Sequence, residues 1–282
     1  MTVAETIEAL RTQLAAAREA RKSVGLVPTM GALHAGHLAL IDQARRENDF
    51  VVVSIFVNPA QFGPNEDFHR YPRPFEKDVA LCEAHGADLI FHPSPEVMYP
   101  PGYRTYVEVT SLQDGLCGAS RPGHFRGVAT VVLKLFNLVQ PDRAYFGQKD
   151  AQQVHIIQRM VTDLDLPLQV VVVPTVREPD GLALSSRNQY LDPDHRRHAT
   201  ALWRALTEAR MRIDAGERDA EVIRRLLADR IAATPGAALD YAAVVDADSL
   251  EPVARLRGPT LLALAVKFGA TRLIDNVLAS PT

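Results

Sequence analysis

The chain has two cysteines, Cys82 and Cys117, in 282 residues. That is too few for a disulfide framework and fits a reducing compartment. No apolar run approaches the roughly 20 residues needed to span a bilayer. The first residues, Glu5 and Glu8 among them, lack the basic and apolar regions of a secretory leader, so the expected location is cytoplasmic. A net charge of −3 leaves no broad basic surface for nucleic acid or an anionic membrane. Basic residues gather near Arg196 and Arg224, where they read as solvated helix faces. Internal repeats and low-complexity segments are lacking. So are the Gly-rich P-loop and dinucleotide fingerprints, a Ser-His-Asp order and a nucleophilic-cysteine context.

What is present is an ordinary globular composition, 47% hydrophobic and 23% charged. Helical spacing covers residues 6–20, with Ile7, Leu10, Leu14 and Ala17 on one face. Strands are expected at 24–28, 50–57, 87–92, 142–146 and 170–174, and the continuous apolar run 50–57 suits a strand buried on both faces of a parallel sheet. Helices are predicted at 75–85, 127–138 and 151–163, and 105–109 alternates like a strand. This order predicts a doubly wound α/β domain. After about Leu191 the composition shifts. Charged, Ala-rich helices are expected at 195–215 and 219–233, with strands at 241–245, 260–266 and 272–276. They predict a smaller α+β domain, giving a division into 1–174 and 175–282.

The densest motif runs Pro28-Thr29-Met30-Gly31-Ala32-Leu33-His34-Ala35-Gly36-His37, between the first long strand and a helical pattern. Strand, Gly-containing turn and helix N-terminus form an anion site, and glycine lets backbone N–H groups approach phosphate. His34 and His37 share a face of a first helical turn, so both can reach one ligand. Taken alone, the pair also fits satisfied histidines or half a zinc site, although no third ligand or carboxylate base is evident. Asn58 and Gln61 follow the next strand, in the turn-rich loop 58–65. Their amides suit a small polar substrate, or simply a capped Asn-Pro turn. Gly147-Gln148-Lys149-Asp150 follows another strand. There Lys149 can neutralise phosphate, Asp150 can hold a cation or ribose hydroxyls, and Gln153 lies one turn on. Ser185-Ser186-Arg187-Asn188 reads as a phosphate clamp or as a capped surface turn. Arg121, His124 and Arg126 are weaker candidates for the same work.

Together these groups predict nucleotidyl transfer, in which positioned cations stabilise charge on the α-phosphate and pyrophosphate. Two rivals remain on the residues alone. One is an adenylyltransferase that leaves its product intact. The other is a nucleotide-binding regulator without turnover.

The stretches 28–37, 57–62, 121–128, 146–153 and 184–188, in this order and spacing, resemble the pantoate–β-alanine ligase family along nearly the whole chain. The resemblance implies a Rossmann-like parallel-sheet N-terminal domain and a C-terminal α+β lid domain. It also implies a homodimer, Mg²⁺ with ATP, and condensation of (R)-pantoate with β-alanine through a pantoyl-adenylate. It assigns ATP contacts to Met30, Gly31, Ala32, Leu33, His34, Ala35, Gly36 and His37. Further ATP contacts fall to Gly147, Gln148, Lys149, Asp150, Val176, Leu184, Ser185, Ser186 and Arg187. Substrate contacts fall to Gln61 and Gln153, to which the reading of the amide-bearing loop adds Asn58. His37 would be the catalytic acid, with His34, Lys149 and Arg187 offsetting charge. The metal ligand stays open, Asp78 and Asp150 being the candidates. Leu184 departs from the methionine expected in many relatives, a volume-conserving apolar exchange.

Overall fold

A computed structural model describes residues 1–64 and 66–281. Asn65, the last residue of the expected loop 58–65, and Thr282 lie outside the described residues. In chain order the elements are β1 (Thr2–Ala4), α1 (Ile7–Glu19), β2 (Val24–Thr29), α2 (Ala35–Glu47) and β3 (Phe50–Ile55). Then come α3 (Phe75–Ala84), β4 (Leu89–Phe91), α4 (Pro95–Met98), α5 (Cys117–Ser120), α6 (His124–Val139), β5 (Arg143–Gly147), α7 (Ala151–Asp163) and β6 (Gln169–Val173). The last are α8 (Pro193–His198), α9 (Ala201–Asp214), α10 (Ala220–Ala232), β7 (Ala237–Asp246), β8 (Thr260–Phe268) and β9 (Thr271–Ala279). Short 3₁₀ turns occupy Pro59–Gln61, Gln148–Asp150 and Ser186–Tyr190.

The chain divides into two compact units. The first comprises Met1–Gln113, Arg121–Gly147 and Gln153–Pro174. Among the described residues its strands form one sheet in the order β1-β4-β3-β2-β5-β6, every neighbouring pair parallel. Leu40, Ile41 and Ala44 of α2 and Cys82 of α3 cover one face, packing with Val27, Val51, Val53 and Ile90. Helix α6 lies against β2 and α1. From β2 the chain winds to β3 and β4, whereas β5 and β6 extend the sheet on β2's other side. The order therefore reverses at β2 and β5, and ligands of such sheets bind outside the carboxyl ends of strands at that point.

The second unit comprises Asp114–Ser120, Gln148–Gln152 and Thr175–Thr282. Its antiparallel sheet has the order β7-β8-β9. Leu202, Leu206 and Ile213 of α9 and Ile223, Leu227 and Ile231 of α10 pack in one core with Leu262, Leu264 and Val266 of β8. Among the described residues, no helix of the molecule is long and apolar enough to cross a membrane.

Two sequence expectations are corrected and one element was not foreseen. Residues 105–109 form no strand, because alternation without a partner makes no ladder. The backbone N–H of Val107 goes instead to the Thr130 hydroxyl, 2.9 Å away. The helix expected over 195–215 is two helices, α8 starting at Pro193 and α9 after the turn at Ala199–Thr200. Edge strand β1, three residues long, was too short to show a pattern.

Candidate active site

Strand β2 ends in a turn that sequence places but cannot hold. The Thr29 hydroxyl donates to Ser54 O at 2.7 Å and accepts from Gly31 N at 3.1 Å. Gly31 and Ala32 then take left-handed conformations, with φ of +79° and +51°. A side chain at Gly31 would meet Asp78 Oδ2 at 2.9 Å. Ala32 holds a conformation that costs a non-glycine residue about 1 kcal/mol or more. Asp78, reaching up from α3, compensates. Its Oδ2 accepts from Ala32 N and its Oδ1 from Leu33 N, each at 2.8 Å. Burial pushes this carboxyl above its ordinary range, against the pull of the two amides. The neighbouring Cys82 thiol, buried and close to Asp78, is pushed up to about 12 and stays protonated.

This turn delivers His34 to the N-cap of α2. Its Nδ1 accepts from Gly36 N at 3.1 Å, which puts the ring proton on Nε2 and makes that atom a neutral donor. His37 lies in the first turn of α2, its ring 4.2 Å from that of His34, centroid to centroid. The expected pairing on one face is therefore present, at a helix N-terminus whose dipole favours an anion. Among the described residues no group of three or more His, Cys, Asp or Glu is placed to hold a metal.

The loop after β3 meets this turn directly. Gln61 Nε2 lies 3.0 Å from Met30 Sδ. Asn58 is almost fully buried, and its amide is spent within the protein. Nδ2 donates to Gln61 Oε1 and to Gly127 O, both at 3.1 Å, while Oδ1 accepts from Ala60 N and from the Tyr99 hydroxyl. Tyr99 is held protonated by burial. His124 Nδ1 contacts Gln61 O at 2.8 Å, and its Nε2 sits 2.9 Å from Arg121 Nη1. The guanidinium can only donate, so Nε2 accepts and Nδ1–H donates to the Gln61 carbonyl. Arg121 in turn grips Glu66 through two bonds of 2.5 and 2.7 Å. Burial pushes the Glu66 carboxyl up, but Arg121, helped by the Gly63 amide, leaves it below the ordinary carboxylate range. Arg121 and His124 thus brace the loop after β3. Gln153 stands half-buried on the first turn of α7, apart from this network among the described residues.

The remaining nucleotide candidates belong to the second unit, except Gly147 at the end of β5. Gln148–Asp150 form a 3₁₀ turn, with Lys149 Nζ 3.8 Å from Asp150 Oδ2. Val176 and Leu184 face each other across a tight turn, Leu184 N donating to Val176 O at 3.0 Å. Ser185 caps the 3₁₀ turn that carries Ser186 and Arg187, its hydroxyl accepting from Arg187 N. Asn188 ties that turn to Ala183 O.

A parallel sheet with a two-histidine helix N-terminus at its switch point defines an α/β enzyme of the nucleotidyl-transfer type. The model of one family, pantoate-beta-alanine ligase, matches residues 2–278. The pantothenate synthetase of Moorella thermoacetica is 59% identical over 278 residues, covering 99% of this chain and 98% of its own. That of Acetivibrio thermocellus is 55% identical, covering 99% of each. The crystal structure of the Thermus thermophilus pantothenate synthetase superposes with a TM-score of 0.93 at 50% identity, covering 98% of this chain and 99% of its own. The Francisella tularensis pantoate-beta-alanine ligase, complexed with beta-gamma ATP and beta-alanine, superposes at 0.82 with 36% identity over the whole of both chains. The chain belongs to the pantoate–β-alanine ligase family.

Proposed function

We propose that this chain joins (R)-pantoate to β-alanine at the expense of ATP, forming pantothenate through a pantoyl-adenylate and releasing AMP and pyrophosphate. The observation that supports it best is the meeting of two loops at the carboxyl ends of β2 and β3. One carries the His34/His37 helix start, the other the braced Gln61, and Gln61 touches Met30.

A pantoate carboxylate oxygen attacks the α-phosphorus of ATP. The new P–O bond replaces the bond to the β-phosphate, and pyrophosphate leaves with its electron pair. His34 and His37 donate to the phosphates, His34 through Nε2–H, and Lys149 and Arg187 offset the charge that develops there. Met30 to Gly36, Gly147, Gln148, Asp150, Val176 and Leu184 to Ser186 hold the rest of the nucleotide. Gln61 orients pantoate and then the neutral amine of β-alanine, and Gln153 contacts pantoate. Asn58 acts by holding the Gln61 side chain. The amine attacks the activated carbonyl, the C–N bond forms, and AMP departs.

ATP enters as its Mg²⁺ complex. Magnesium keeps several waters and takes few protein carboxylates, so it needs no dedicated cage. Both Asp78 oxygens are committed to backbone amides, which leaves the half-exposed Asp150 as the candidate carboxylate. We further propose residues 1–174 as the nucleotide- and pantoate-binding domain, 175–282 as the lid domain, a homodimer, and a cytoplasmic location.

Product analysis tests the reaction. AMP and pyrophosphate are expected only when pantoate is present, and pantothenate only when β-alanine is added. ADP and phosphate as products would refute the adenylate, and turnover indifferent to β-alanine would favour a plain adenylyltransferase.

A further inference from the structure

Two adjacent residues of the second unit, Asp275 and Asn276 on β9, hold both of its nucleotide segments although no nucleotide motif includes them. Strand alternation sends their side chains to opposite faces of the sheet. Asn276 is buried and caps the turn that carries Lys149. Its Nδ2 donates to Gln148 O at 3.0 Å and to Lys149 O at 2.9 Å, and its Oδ1 accepts from Gln148 Nε2 at 3.2 Å. Asp275, on the other face, takes a two-pronged ion pair from Arg177, at 2.6 and 2.8 Å. Arg177 directly follows Val176, and its Nη1 also donates to Gly181 O at 3.1 Å. The Trp203 ring lies 3.7 Å from the guanidinium carbon, so the pair is covered as well as bonded. Asp275 Oδ1 also accepts from Asn276 N at 2.8 Å, which links the two anchors. Opposite them on β8 are Leu264 and Ala263, in continuous register.

We propose that Asp275 and Asn276 are positioning residues for ATP, with Asn276 fixing the backbone from which Lys149 projects. This rests on the ligase reading above. An ammonium on a flexible stem is a point charge. Its value at a phosphate depends on where its backbone is held, and a misplacement of about 1 Å can cost about 10²-fold in rate. Asn276 removes that freedom with three hydrogen bonds, none of which needs to touch the nucleotide.

The test is Asn276→Ala in the full chain, read as pantoate-dependent pyrophosphate release. The expected result is a roughly 10–100-fold fall in kcat/KM for ATP, with the KM for β-alanine within about twofold of the parent. In a Lys149→Ala background the same change should cost less than about twofold, because groups acting as one unit are not additive. An unchanged kcat/KM per folded molecule, even with a lower Tm, would overturn the proposal, as would a full additional loss in the Lys149→Ala background. Asn276→Asp keeps the shape and the bond from Gln148 Nε2 but cannot donate to the two carbonyls. It should reproduce the ATP defect, and it serves if the alanine variant does not fold. A parent chain that makes no AMP refutes the ligase reading. A parent that makes AMP alongside indifferent variants refutes only this one.

Discussion

Asp78 is the residue on which the turn after β2 depends, although it sits 45 positions from the amide it holds at Leu33. A carboxylate can accept two amide hydrogens at once, one on each oxygen, and the left-handed step at Ala32 needs both. Asp78→Asn keeps the volume and removes one acceptor, turning an N–H group toward another N–H. Charge-assisted bonds of this kind contribute about 1.5–3 kcal/mol, and an unpaired buried donor adds its own penalty. We expect Asp78→Asn to lower the stability by about 2–3 kcal/mol, a Tm fall of roughly 5–10 °C. The KM for ATP should rise, since His34 and His37 inherit their position from this turn. A thermal melt with an ATP titration checks both. A variant as stable and as tight for ATP as the parent would remove Asp78 from the account.

Helix α6 shows how closely one element can approach another when a side chain is missing. At Gly127 a Cβ would lie 2.2 Å from Ala60 O and 2.6 Å from Gln61 N, both backbone atoms that cannot rotate away. Gly127 O also accepts from Asn58. Gly127→Ala must therefore push α6 off the Pro59–Gln61 turn. The expected outcome is a higher KM for pantoate and β-alanine, with a smaller change for ATP, measured by steady-state kinetics on folded protein. Unaltered pantoate and β-alanine constants would show that the close approach does not set the Gln61 position. The need for glycine here was not legible in the sequence, where Gly127 reads as one more residue of an apolar helix. Helix α7 was legible to the residue, because its periodicity is local and its preceding turn is polar. The run at 105–109 misled, because alternation reports a face and says nothing of a partner strand. The bracing work of Asp78 and His124, which the sequence offers only as a candidate metal ligand and a weaker phosphate candidate, was invisible for a related reason, and Tyr99 was not singled out at all. Each acts through a tertiary contact, Asp78 on Ala32 and Leu33, Tyr99 on Asn58, His124 on Gln61, and no spacing rule connects such distant positions. The strand–turn–helix layout that pairs His34 with His37 was legible because its parts are consecutive in the chain.

At the scale of the whole molecule, the second unit is not a continuous stretch of chain. Residues 175–282 carry its sheet and the core formed by α9, α10 and β8, which is enough apolar burial to drive collapse. Yet the unit also contains Asp114–Ser120 and Gln148–Gln152. Ser120 Oγ donates to Asp240, and Cys117 Sγ lies 3.2 Å from the Tyr241 hydroxyl and 3.5 Å from Arg272 Nη2. Gln152 secures this segment by accepting from Cys117 N and donating to Gly115 O. The Gln148–Lys149 carbonyls complete the bonding of Asn276. A fragment of residues 175–282 would keep Arg272 paired with Asp240 and Arg177 with Asp275, but it would lose these additions. At about 1 kcal/mol for each net hydrogen bond, several lost bonds amount to roughly 3–5 kcal/mol, a large share of a small domain's stability. We therefore expect the fragment to form its sheet but to unfold at lower denaturant than the second unit does in the full chain, and to bind no ATP. Hydrogen exchange read at the β9 amides of both proteins separates the outcomes. Equal protection in fragment and full chain would mean that the two inserted segments are passengers rather than parts of the unit.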